Sequence, residues 1–116
     1  MDPQRKKELK ELYKQLKPDM GILAVKHTSS NKYYLEGTQD LKSTVNSIKF
    51  KLNFGNHPNR ALQKDWQQEG PGSFTIEVLE KLKYDKDETK TDYSEELAIL
   101  KMLWEEKLLQ QGAELY

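Results

Sequence analysis

The side chains whose types and spacing could do chemistry are five cations in the middle of the chain: Lys42, Lys49, Lys51, Arg60 and Lys64. Residues 26–64 carry seven Lys or Arg against two acids, whereas residues 75–116 carry eleven acids against six bases. The totals cancel at 19 of each sign, so no bulk field draws the molecule to nucleic acid and any attraction must be local. A basic middle that folds onto one surface would contact the phosphates of DNA or RNA and release counterions. A solvated charge fluctuation is the alternative reading of the same counts, and a protein-interaction or structural module using the N-terminal helix and the acidic C-terminal half is the alternative function.

Other chemistry is thinly supplied. The chain has no cysteine, which excludes disulfides, thiolate zinc sites and a cysteine nucleophile. His57 precedes Pro58 and reads as a helix-opening residue. His27 closes a strand and reads as a surface or satisfied histidine. With no further histidine or carboxylate at ligand spacing, no metal site is expected. No phosphate-binding glycine loop, dinucleotide fingerprint or serine elbow occurs. No apolar run reaches membrane-spanning length and residues 1–17 are highly charged, so a cytoplasmic protein without membrane association is expected.

The elements that must position these groups can be read from periodicity. Asp2-Pro3 opens a helix with Leu9, Leu12, Tyr13 and Leu16 on one face, stopped by Pro18, and residues 1–19 are read as an added amphipathic helix. Residues 20–116 form the domain proper. Two runs rich in branched and aromatic residues, 21–27 and 32–36, flank the polar link Thr28-Ser29-Ser30-Asn31 and predict a β-hairpin, with Tyr33 and Tyr34 on opposite faces. Thr38 or Asp40 then caps a helix bearing Leu41, Val45, Ile48 and Leu52, ending near Gly55. A second helix from about Pro58 turns Ala61, Leu62 and Trp66 inward and stops at Gly70-Pro71-Gly72. Phe74, Ile76 and Val78 alternate as a half-buried strand over residues 74–79, and residues 84–91 read as a charged loop. Asp92 with Glu95 forms a capping box for a last helix that buries Leu97, Leu100, Leu103, Trp104 and Leu108. The order predicts an α+β domain: a three-stranded antiparallel sheet flanked by helices, with an extra N-terminal helix.

Gly21-Ile22-Leu23, ten intervening residues and Tyr34-Leu35-Glu36-Gly37 resemble the paired strands that name the GIY-YIG endonuclease family. The order of the later elements supports the likeness: a leucine-containing helix, His57-Pro58-Asn59, Leu62 to Trp66, the 74–80 strand and a helix with Leu103-Trp104. The resemblance covers roughly residues 20–109. It implies a site made of one tyrosine from each hairpin strand, an arginine on the next helix and a glutamate on the last, around a divalent metal and the scissile phosphate. Phosphodiester hydrolysis would use a base beside water, a cation against the developing charge and a hard ligand for magnesium or manganese.

Carried over by position, those residues fall on Leu23, Tyr34, Thr44 and Lys101, and a histidine one turn after the arginine falls on Ile48. Glu36 stands at the glycine of the second triplet, with Gly37 displaced by one. Tyr34 alone is retained, so it is the one candidate catalytic residue. The expectation is a nuclease-like pseudoenzyme that binds DNA, RNA or another partner without a cofactor, magnesium or manganese being needed only if activity persists. Relocated catalysis, with Lys42 or Lys49 for the arginine and Glu36 or Glu96 for the metal ligand, is the alternative.

Overall fold

In the computed structural model, residues 3–8 and 17–116 are described. Residues 3–8 are helical (α1) and exposed; the expected stripe of Leu9, Leu12, Tyr13 and Leu16 lies outside the described residues. The sheet is built around β1 (Met20–His27), whose apolar run is buried on both faces. Met20, Ile22 and Ala24 look to one side, Leu23 and Val25 to the other. A strand buried twice must be central. It is, with β2 (Lys32–Thr38) antiparallel on one flank and β3 (Phe74–Leu82) antiparallel on the other.

The hairpin turn closes with Asn31 in the left-handed region at φ 55°, where asparagine is tolerated, and its N–H donates to the His27 carbonyl (3.1 Å). A fourth strand, β4 (Glu114–Leu115), adds parallel to β2 through Lys32 and Tyr33, giving the order β3-β1-β2-β4. The three-stranded antiparallel sheet expected from sequence is therefore present and extended by two residues. They are too few to leave a period in the sequence.

Helices cover both faces. On the Leu23 side, α2 (Leu41–Phe54) buries Leu41, Ile48 and Leu52. The Asp40 carboxylate accepts from the Ser43 N–H (3.1 Å) at its start, and Gly55 at φ 77° ends it. The following α3 (Arg60–Glu69) starts two residues later than Pro58 suggests, because the Asn59 side chain accepts from the Leu62 N–H and so occupies the cap. On the opposite face, α4 (Ser94–Gln110) packs Leu97, Leu100, Trp104 and Leu108 over Met20, Ile22, Ala24 and Leu35.

Five local expectations are corrected. Ala61 is exposed and Gln63 is buried in its place, its amide donating to the Leu52 carbonyl (2.9 Å) and its carbonyl accepting from the His57 N–H (2.9 Å). Leu103 is exposed. The capping box is absent: the Asp92 carboxylate accepts from Ser94 N–H, and Tyr93 is the cap residue. Val78 is 44 % exposed although it pairs with Leu23 on the α2 side, where it lines a groove beside Leu41 and Val45. Ile22 pairs with Glu80, so Leu79 is the extra residue of a bulge, and beyond it the even-numbered residues of β3 change side. Phe74 and Ile76 face the α2–α3 core, while Leu79 and Leu82 face α4. Tyr84, assigned by sequence to a solvated loop, instead packs edge-on against Tyr93 (5.5 Å) and donates to the Pro18 carbonyl (2.6 Å). Among the described residues no helix is long and apolar enough to cross a membrane.

Candidate functional site

Tyr34, Leu23 and Thr44 lie on the α2–α3 side of the sheet, whereas Lys101 and Glu96 are on α4, which covers the other face. Tyr34 and Leu23 look to the α2–α3 side, as strand alternation requires. The Tyr34 hydroxyl donates to Glu36 Oε1 (2.8 Å), two residues along the same strand face. His57 meets the Tyr34 ring edge-on, with centroids 4.9 Å apart. Its backbone N–H is held by Gln63 and its Nδ1 accepts from the Asn59 N–H (3.0 Å), so in the neutral ring the proton sits on Nε2. His57 is thus more than a helix-opening residue: it is 2 % exposed and locked on both sides.

The protonation states are set by these neighbours. Burial, then the hydrogen bond to Glu36 and its negative charge, pushes the Tyr34 phenol far above its ordinary range. Tyr34 is therefore a hydrogen-bond donor at neutral pH and a poor base. Burial lowers the His57 value, Glu36 opposes that and the Lys51 charge adds to it. His57 is neutral in the fold at pH 7.

Stability should therefore depend on pH. With a folded value below the ordinary 6.5, His57 contributes fully above that value, and stability falls as the unfolded chain takes up the proton first. Urea midpoints are expected to drop as pH falls below about 6.5, and His57→Gln to remove that part of the slope. An unchanged slope in His57→Gln, or a His57 ring resonance titrating at the ordinary value, would contradict the assignment.

Leu23 is fully buried in the α2–α3 core. Thr44 points its hydroxyl at Thr38 (2.7 Å between oxygens). Lys101, on α4, lines a groove of about 500 Å³ with Glu36, Gly37 and Thr38, along the part of β2 that β4 leaves uncovered. Glu96 pairs with Lys90 (2.8 Å).

The five cations are all exposed. On α2 the buried stripe is Leu41, Ile48 and Leu52; directly opposite stand Phe50 and Phe54, 60 % and 67 % exposed, with ring centroids 4.5 Å apart. At 100° per residue, Lys51 lies on one flank of this pair, and Lys42 and Lys49 on the other. Arg60 and Lys64 sit one turn apart on α3. Lys42 also lines a groove of about 780 Å³ with Lys17, Asp19, Asp40 and Lys81. The exposed phenylalanine pair is legible in the sequence as an i, i+4 repeat out of phase with the leucine stripe. His27 is buried rather than superficial and pairs with Glu69.

No protein-family model matches the sequence and no curated protein matches it. Among solved structures, the chain is similar to the catalytic domain of the homing endonuclease I-TevI, with a TM-score of 0.64 and 23 % identity over 82 % of this chain and 94 % of that one. It is equally similar to a mutant of the catalytic domain of intron endonuclease I-TevI, TM-score 0.64 and 23 % identity, over 83 % of this chain and 90 % of that one.

Proposed function

From a GIY-YIG-like α+β fold as premise, we propose that the chain is a nuclease-like domain that binds single-stranded nucleic acid weakly and does not cut it. The outer face of α2 carries this reading: a solvent-exposed pair of phenylalanine rings flanked by lysines on both sides. Bases stack on exposed aromatic faces without regard to sequence, and flanking cations track the backbone. The two similar structures are catalytic domains of an endonuclease, which makes nucleic acid the matching ligand class.

Loss of cleavage rests on the positions that the resemblance assigns. Leu23 has no proton to exchange, Thr44 has no charge, and Lys101 places a cation where a metal ligand would stand. The donors do not suit magnesium or manganese: the carboxylate that reaches Tyr34 is Glu36, its Oε1 already accepts the phenol, and Lys101 shares its groove.

The test is fluorescence anisotropy with labelled DNA and RNA, together with a cleavage assay in magnesium and manganese. Binding through three lysine contacts is expected to weaken about 20-fold between about 50 and 200 mM salt. Phe50→Ala with Phe54→Ala should cost about 1–3 kcal/mol per stacked base. Lys49→Glu with Lys51→Glu should weaken binding further while the circular dichroism spectrum is unchanged. Cleavage that Tyr34→Phe abolishes would establish relocated catalysis instead. No anisotropy change at low salt would leave the Phe50–Phe54 patch as a protein-binding surface.

A further inference from the structure

His27, at the end of β1, is 4 % exposed and its ring lies against Phe74 (4.8 Å between centroids). Its Nδ1 is hydrogen-bonded to the Ser30 hydroxyl, and its Nε2 lies 2.5 Å from Glu69 Oε2. Asp65 stands one turn before Glu69 on the same face of α3. One ligand atom from each of the three side chains falls within 4.8 Å of the others. Asp65 is itself oriented, since its Oδ2 accepts from the Tyr116 hydroxyl (2.7 Å).

From this geometry we infer that His27, Asp65 and Glu69 form a binding site for a first-row divalent cation, zinc before the others. One imidazole nitrogen and two carboxylate oxygens are a borderline donor set, which suits zinc better than the all-oxygen octahedron that magnesium demands. Ligand atoms at about 2.0–2.2 Å from a tetrahedral zinc stand about 3.3–3.6 Å apart. His27 and Glu69 must therefore separate, and the widest pair, within 4.8 Å, must close. Glu69 can supply that motion because its side chain is 42 % exposed.

The short contact has a simple meaning in this light. A cation would replace the His27–Glu69 contact, with Nε2 as ligand and the single proton of the neutral ring on Nδ1. The Nδ1–H then donates to Ser30, which fixes the ring, as the Tyr116 hydroxyl fixes Asp65. Among the described residues the ion pairs give Asp65 and Glu69 no lysine or arginine partner; their side-chain partners are Tyr116 and His27. A divalent charge is the missing counterpart. Three protein ligands with an exposed glutamate leave a further position open to water.

The site was hidden in the sequence because its histidine and carboxylates are nearly forty positions apart, joined only by packing α3 against the end of β1. It stands independently of nucleic-acid binding. The test uses the full chain, stripped with chelator, titrated with zinc by calorimetry and with cobalt by visible absorption. One equivalent should bind, with the His27 ring resonances shifted. Asp65→Asn and Glu69→Gln, both outside the core and checked for fold by circular dichroism, should each weaken binding by more than the about 10–100-fold that loss of an outer partner brings, and Ser30→Ala by that smaller amount. No zinc binding by the wild-type chain, or binding undiminished in both carboxylate variants, would overturn the assignment.

Discussion

Trp66→Ala is expected to lower the unfolding free energy by about 3–5 kcal/mol, the usual range for truncating a large buried aromatic. The indole is 7 % exposed, stacks on Phe74 with centroids 5.1 Å apart, and donates from Nε1 to the Asn53 side chain (3.2 Å). It therefore fastens three elements at once: α3 that carries it, α2 that accepts its hydrogen bond, and β3 that stacks on it. Truncation leaves a cavity between helices and sheet and strips Asn53 of its partner. Phe50→Ala and Phe54→Ala serve as controls on the same side of the molecule. Both rings are solvent-exposed, and their loss should change stability within about 0.5 kcal/mol. Urea denaturation of the three variants measures the contrast, and a Trp66→Ala loss no larger than that of the exposed rings would refute this account of the core.

The second large effect belongs to a residue with no side chain. A methyl group at Gly21 would stand 2.1 Å from the Glu80 carbonyl oxygen and 3.0 Å from the Lys81 Cα. Both obstacles are backbone of β3, so neither can swing aside. Gly21→Ala must part β1 from β3 beside the bulge at Leu79, and a loss of about 3 kcal/mol is expected, at the upper end of what overpacking causes. Gly37→Ala is the comparison, its added methyl meeting mainly the Ile22 and Leu97 side chains at 3.2 and 3.3 Å. It should be milder, since side chains can shift by a few tenths of an ångström. Equal thermal midpoints for Gly21→Ala and wild type would show that the strands separate freely. The same contact gives the glycine of the first triplet a physical reason that needs no catalysis.

How much of the fold and the site was legible in the sequence depends on whether the signal was local. The hairpin, α2 and the central position of β1 can be read from runs and stripes that one element carries alone. The inward phase of β3 cannot, because Leu82 shares the α4 side with Leu79 only once a bulge is known to interrupt the pairing between Ile22 and Leu23. Gln63 defeats a hydrophobic criterion for a different reason: it is buried because the Leu52 carbonyl and the His57 N–H at the α2–α3 junction both need a partner. Leu103 and Val78 carry apolar chemistry but are exposed, so composition alone over-filled the core. For the candidate site, Tyr34 and the five cations could be named from sequence. The contacts among Tyr34, Glu36 and His57 could not, because His57 arrives from beyond α2. Glu36 looked like a misplaced residue in a motif, whereas in the fold it accepts the Tyr34 hydroxyl and adds to the upward shift that burial causes.

The strand order has a consequence for how the chain reaches this state. The β1–β2 hairpin joins residues 27 and 32 and can close within microseconds, as local hairpins do. The other edge of β1 must wait for residues 74–82, which pair with it only after α2 and α3 have been laid between. During synthesis, the most apolar strand of the molecule is therefore exposed along one edge until β3 has emerged. The return of β3 to β1 carries the loop-closure entropy of the whole intervening segment and is expected to be the slower encounter. Substitutions that hinder that docking, Gly21→Ala among them, act on refolding rate to the extent that the β1–β3 contact is already made in the transition state.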